Sequence, residues 1–201
     1  MITSIKINGF KSFHEFWMDF SPFTVIAGAN ASGKSNLFDA LKLLGRLAEV
    51  DNLKVAFKEQ RGEFMELFTR YSETEPAREM AFEVEMLVDK TVRDAWGNTA
   101  ELKYTRLRYE LKIRRFTNKL GIEDLEVIHE HLENLKHDED TWVKQVPKDY
   151  LEYWRPKVVV GKRRTPYIQT VEENGTPTVE VPQDAGQGTD RNGEGNKDAF
   201  R

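Results

Sequence analysis

Residues Phe23–Leu37 read FTVIAGANASGKSNL, and Gly28-Ala29-Asn30-Ala31-Ser32-Gly33-Lys34-Ser35 within them fits G-x-x-x-x-G-K-[ST] without a gap. The spacing follows from what it takes to hold phosphate. Glycines at 28 and 33 allow backbone angles that turn the N–H groups of the loop inward, as a nest for a β-phosphate. Lys34 brings a positive charge to the β- and γ-phosphate oxygens, and the Ser35 hydroxyl is a ligand for Mg²⁺. Ahead of the loop, FTVIAG is a short β-branched run of the kind that forms a buried parallel strand. Behind it, NLFDALKLLGRLAEV repeats Leu37, Leu41, Leu44 and Leu47 at helical spacing, with Asp39, Lys42 and Arg46 facing away. That helix points its N-terminal amides at the same phosphates, Asn36 lying in its first turn. The motif alone matches by chance in roughly one chain of this length in a hundred. Strand, loop and helix in this order make nucleotide binding the reading.

Outward from the loop, ITSIKING alternates with a period of two and predicts a half-buried strand carrying Ile5 and Ile7 on its apolar face. Ser21-Pro22 marks a turn. A short helix is expected at EFMELFTRY, residues 63–71. From residue 80 the period changes to two. Phe82, Val84, Met86 and Val88 form one alternating set, and Leu107, Tyr109, Leu111 and Ile113 another, so both predict strands of an antiparallel sheet with one wet face. DLEVIHEHLE is a third strand of this kind, with TWVKQV and KVVVG as shorter ones. Asn174-Gly175 between two β-rich runs predicts a hairpin. Residues 1–182 are therefore expected to form one lobe, and the polar, glycine-rich 183–201 a disordered linker or tail.

Composition bounds the rest. The 201 residues carry 30 Lys+Arg against 34 Asp+Glu, a net charge of -4, which excludes a simple basic nucleic-acid coat. With no Cys, a disulfide framework, a thiolate metal site and a cysteine nucleophile are excluded. Nothing approaches the ~18 to 20 continuous apolar residues of a membrane span. The N-terminus lacks a signal layout, so the expected location is cytoplasmic, without a membrane partner.

The phosphate loop lies behind a strand ending in Gly9-Phe10-Lys11-Ser12-Phe13, and is followed by Asn36-Leu37 and Asp39-Ala40-Leu41. Over residues 2–48 this resembles the ABC-type AAA ATPase heads of the RecF, SMC and OLD group, whose N-termini pair an F-K/R-S-F-like element with G-x-N-x-S-G-K-S-N-L. Glu63–Phe68, after Arg61-Gly62, also resembles a segment of bacterial AAA members of this group. The resemblance implies an α/β P-loop NTPase fold, here the N-terminal lobe of an ABC/SMC-like head: a mixed sheet with an antiparallel β-rich half. It implies ATP and Mg²⁺ as cofactors, a second ATPase head as partner, and work on DNA in repair, maintenance or antiphage defence. It further implies a role for Lys11 at the nucleotide and for Gln60 as a Mg²⁺-contacting glutamine. Hydrolysis in such heads needs a Walker B strand ending in Asp-Glu and a signature motif. Neither is found in the sequence: Met86-Leu87-Val88-Asp89 ends in Asp-Lys and belongs to an alternating strand. The catalytic carboxylate is thus unassigned, and the expectation is part of a head, with poor turnover alone. The other reading is a non-catalytic module that docks a protein partner.

Remaining features have plainer explanations. His129 and His131 share a strand face near His137 and several carboxylates, but match no metal spacing and read as solvated. Lys112, Arg114 and Arg115, and the cluster Lys162-Arg163-Arg164, are available to phosphate backbone but sit among acidic neighbours, so a salt-bridged surface is expected. Trp96, Trp142 and Trp154 read as core or interface anchors. A nucleotide kinase or GTPase would alternate strands and helices throughout, which residues 80–181 do not.

Overall fold

The computed structural model describes residues 1–182 apart from 51, 72–75, 94–95, 162 and 174. Strands β1 (Ile2–Asn8), β2 (Phe16–Asp19), β3 (Glu79–Leu87), β6 (Arg106–Thr117) and β7 (Glu123–Asn134) form one sheet in the order β2-β1-β3-β6-β7. Every neighbouring pair in it is antiparallel. The alternation read from the sequence decides its two faces. Ile5, Ile7, Phe82, Val84, Leu111 and Ile113 are buried on one, while Lys6–Glu83 and Arg108–Glu85 pair as ions on the other.

Two helices cover the apolar face. Helix α1 (Lys34–Glu49) buries Leu37, Ala40 and Leu43, each leucine contributing about 1.5–3 kcal/mol, with Leu41, Leu44 and Leu47 packed at its margin. Helix α2 (Leu53–Lys58) adds Ala56 and Phe57, and starts at Asn52, whose side chain accepts from the Lys54 amide. The expected short helix at 63–71 is a 3-10 turn, Phe64–Leu67, closed by a capping box between Glu63 and Glu66. Two small hairpins, β4 (Thr91–Arg93) with β5 (Thr99–Glu101) and β8 (Gln169–Glu173) with β9 (Thr176–Glu180), lie outside the main sheet. The second is the hairpin foreseen from the sequence, with Gly175 left-handed at its turn.

Three expected strands are absent. TWVKQV is helix α3 (Trp142–Gln145), followed by α4 (Lys148–Trp154): Trp142, its neighbour Val143 and Val146 all pack into a second small core with Leu87, and a strand would send the adjacent pair to opposite faces. KVVVG makes isolated bonds, Thr105 N–H to the Val159 carbonyl and Gly161 N–H to the Leu135 carbonyl, with no ladder. The third is FTVIAG. Residues 23–28 are not a strand, and Phe23 and Val25 are 82% and 73% exposed. A parallel strand of this kind is buried only between neighbours, and among the described residues none runs beside it. The sheet is consequently antiparallel throughout. The expected tail, 183–201, lies outside the described residues.

One buried ion pair ties the layers together. Arg106 is fully buried, and forks onto Asp140 through Nε to Oδ2 (2.9 Å) and NH2 to Oδ1 (3.1 Å). Its NH1 donates to Thr3 Oγ1 at 2.7 Å, and its guanidinium lies 5.6 Å from the Trp142 ring centroid. Trp142 Nε1 in turn donates to the Phe20 carbonyl. Thus β1, β6 and the α3 segment meet at one guanidinium, and Trp142 extends the link to Phe20, just past β2.

At Gly9, φ is +76° and an added Cβ would stand 2.2 Å from the Glu79 carbonyl oxygen. Gly9→Ala should therefore lower unfolding free energy by about 1–3 kcal/mol in urea melts. Gly45, with open space around it inside α1, should gain about 0.5–1 kcal/mol on replacement by Ala. Equal effects at the two sites would contradict the assigned backbone.

Candidate functional site

The phosphate loop rests on the turn that ends β1. That turn is pinned by Gly9 N–H to the Phe13 carbonyl (3.0 Å), Lys11 N–H to the Leu67 carbonyl (2.8 Å) and Thr69 N–H to the Gly9 carbonyl (2.9 Å). Ser12 at its tip accepts from Asn36 Nδ2 at 2.8 Å. Gly33, left-handed at φ +89°, sits so close that a Cβ would lie 3.4 Å from Ser12 Oγ. The second left-handed residue in the loop is Ala31, at φ +65°, rather than Gly28. At Gly28 the approach is steric instead: a Cβ there would stand 3.0 Å from Ser32 Oγ, which would have to shift to admit it. The two glycines expected to act alike thus act differently.

Helix α1 opens with no side-chain cap and no acidic residue in its first turn. Its free amides and positive dipole end are left for an anion. Lys34 Nζ donates to the carbonyls of Gly28 (2.7 Å) and Ala29 (2.5 Å) and lies 3.4 Å from Ser32 Oγ. The ammonium therefore folds over the loop it serves, and the Ser35 hydroxyl beside it is exposed.

Asp39, one helical turn beyond Ser35, does not face away. Its Oδ2 accepts from Lys11 Nζ at 2.6 Å and from Arg61 NH2 at 2.8 Å. Lys11, expected at the nucleotide, is thus held on a carboxylate of α1 and on the Arg61 carbonyl (2.8 Å). Lys42 and Arg46, also expected to face solvent, bind Glu59: Lys42 Nζ to its carbonyl, Arg46 Nε and NH2 to its two carboxylate oxygens. Helical spacing identified this polar stripe but gave no sign that the turn after α2 would fold against it. Gln60 is 7% exposed, its Nε2 donates to the Ala56 carbonyl, and its Oε1 has no hydrogen-bond partner. A buried, unsatisfied amide oxygen is a hard ligand of the type Mg²⁺ takes, so Ser35 and Gln60 fit that ion by their chemistry.

His129 pairs with Glu110 at 3.1 Å, and the described residues hold no group of three potential metal ligands. Arg114 is paired with Glu126, and Arg115 holds the carbonyls of Pro76 and Ala77. Lys162 lies outside the described residues. Trp142 is core, whereas Trp96 is exposed.

A G-x-x-x-x-G-K-S loop, a bare helix start and a lysine folded over it, mounted on a sheet, have the layout of a nucleotide-binding domain. Residues 1–157 match the family AAA_15, the AAA ATPase domain, and the chain belongs to that family. This bears out, at the level of the AAA ATPase domain, the resemblance drawn from residues 2–48. A stretch of 56 residues is 43% identical to the mitotic chromosome and X-chromosome-associated protein mix-1 of Caenorhabditis elegans, covering 26% of this chain and 4% of that protein. A solved structure described under ATP-driven dimerization and DNA-stimulated activation of SMC ATPases is 26% identical, covering 63% of this chain and 68% of that one, with a TM-score of 0.35. No helix among the described residues is long and apolar enough to cross a membrane.

Burial by itself would raise the Asp39 carboxyl, but the hydrogen bonds from Lys11 and Arg61 outweigh it and hold the group below its ordinary range. A folded value below the unfolded one (~3.9) means Asp39 adds stability above about pH 4 and loses it as pH falls through the folded value. Urea unfolding followed from about pH 6 to 3 should therefore fall less steeply for Asp39→Asn than for the parent chain. Parallel profiles would contradict the pairing.

Proposed function

We propose that the chain binds Mg·ATP, with the backbone of Gly28–Gly33 around the β-phosphate, Lys34 on the β- and γ-phosphate oxygens, and Ala29, Asn30, Ala31, Ser32 and Asn36 completing the loop. The observation that carries this is Lys34 Nζ resting on the Gly28 and Ala29 carbonyls at the uncapped start of α1. An ammonium already at the loop needs only a local shift to exchange carbonyl oxygens for phosphate oxygens. Ser35 and Gln60 hold the Mg²⁺, which when bound neutralises charge on the β- and γ-phosphates. Lys11 supports the site through Asp39 rather than by touching nucleotide.

The wider reading is an ATPase head of the RecF/SMC/OLD type that engages a second head and serves DNA, in repair, maintenance or defence. Its support is the family assignment together with the motif over residues 2–48. The exposed run at Phe23 and Val25 fits such an assembly, since an apolar, β-branched segment left open to water marks a surface suited to a partner. The same exposure favours the second reading, a docking module without turnover. Robust hydrolysis by the purified chain would reject that second reading.

Lys34→Ala should weaken Mg·ATP binding by about 10- to 100-fold in titration calorimetry, the range for losing a charge-assisted hydrogen bond. Unchanged affinity in that variant overturns the assignment.

A further inference from the structure

Asp39, Lys42 and Arg46 recur at intervals of three and four residues and so share one face of α1. All three grip the turn that follows α2. Arg46 forks onto Glu59 at 2.5 and 2.9 Å, and Lys42 Nζ donates to the Glu59 carbonyl at 3.1 Å. On the other side, Arg61 NH2 donates to Asp39 Oδ2 at 2.8 Å. Lys11 Nζ closes a ring, reaching Asp39 Oδ2 at 2.6 Å and the Arg61 carbonyl at 2.8 Å. The residues before and after Gln60 are both anchored to the phosphate-loop helix.

Gln60 is the residue between the anchors. Its buried Oε1 is left unsatisfied, an arrangement that a loosely held turn would relieve by letting the amide rotate toward a donor or water. The anchors on either side oppose that relaxation. The same helix carries Ser35 four residues before Asp39, so one rigid element presents the hydroxyl and fixes the turn bearing the amide. Side chains that orient a metal's ligands without touching the metal commonly govern its affinity.

We propose that Asp39 is a positioning residue: by holding Lys11 and Arg61 on one carboxylate oxygen it fixes the turn that carries Gln60, and so sets how far Mg²⁺ strengthens nucleotide binding. The proposal rests on the reading above that Ser35 and Gln60 take the ion. It separates two duties within one helix. The loop and Lys34 bind phosphate with or without metal, whereas the polar stripe tunes the metal's share. It also gives Lys11 a place, as a strut of the ring that links the β1 turn to the metal side of the site.

The test is ATP titration of the whole chain by calorimetry, in MgCl₂ and again in EDTA, for the parent, Gln60→Ala, Asp39→Asn and the double variant. Asp39→Asn should lose about 10-fold of the affinity gained from Mg²⁺, leave binding in EDTA unchanged, and add little to Gln60→Ala. Parent-like Mg·ATP binding, equal weakening in both buffers, or full additivity with Gln60→Ala overturns it. If Gln60→Ala keeps the parent's Mg²⁺ dependence, the metal assignment falls and this proposal with it. If Gln60→Ala loses that dependence while Asp39→Asn does not, the metal assignment stands and only this proposal fails. Thermal melts report whether each variant folds. Should Asp39→Asn not fold, Arg61→Met removes one arm of the ring while Lys11 keeps Asp39 paired, and unchanged Mg²⁺ dependence in that variant equally overturns the proposal.

Discussion

The start of α1 is seated against the turn at residues 9–13 through the left-handed Gly33 and the Asn36–Ser12 hydrogen bond, and the geometry of the phosphate loop follows from that seat. Gly9 lets the turn press onto the Glu79 carbonyl of β3, and Gly33, at φ +89°, lets the loop turn into α1 beside Ser12. Asn36 then bonds Ser12 and fixes the helix in rotation. With rotation set, Leu37, Ala40 and Leu43 face the sheet, and Asp39, Lys42 and Arg46 face the turn at 59–61. The apolar stripe supplies the stability, and the polar stripe ties the helix to the turn at 59–61. A helix rotated by one residue would lose both.

Farther from the loop, the lobe is held by a buried charge rather than by burial alone. Arg106 would be costly in the interior without Asp140, Thr3 and the Trp142 ring around it, and once they are present it orients several elements at the same time. The sheet edge at β2 is joined to α3 through Trp142 Nε1 and the Phe20 carbonyl, just ahead of the exposed run at 23–25. The Trp142 anchor of the small core thus borders the exposed apolar run at Phe23 and Val25.

Much of this was legible in the residues. The phosphate loop, β1, α1 and the trio β3, β6 and β7 follow from spacing, because both periodicities depend on which face is buried and not on where the partner lies. The run at 23–28 shows the limit of that logic: β-branched composition signals a segment suited to burial, but the neighbours that would bury it must come from elsewhere. TWVKQV misled because Trp142 and Val146, four residues apart, fit a helix and a strand equally well, and the signal that separates the two is Val143, adjacent to Trp142. The Arg106–Asp140 and Asp39–Arg61 pairs were invisible because they join residues 34 and 22 positions apart, and charge carries no periodic signature of its partner.

The central claim is that the amides at the start of α1 receive phosphate. Hydrogen–deuterium exchange on the chain with and without Mg·ATP tests it most directly. Protection should appear in the peptide spanning residues 28–37, with a lesser effect around Gln60, and should be lost there in Lys34→Ala. Protection that spares 28–37, or that persists there in Lys34→Ala, would contradict the account.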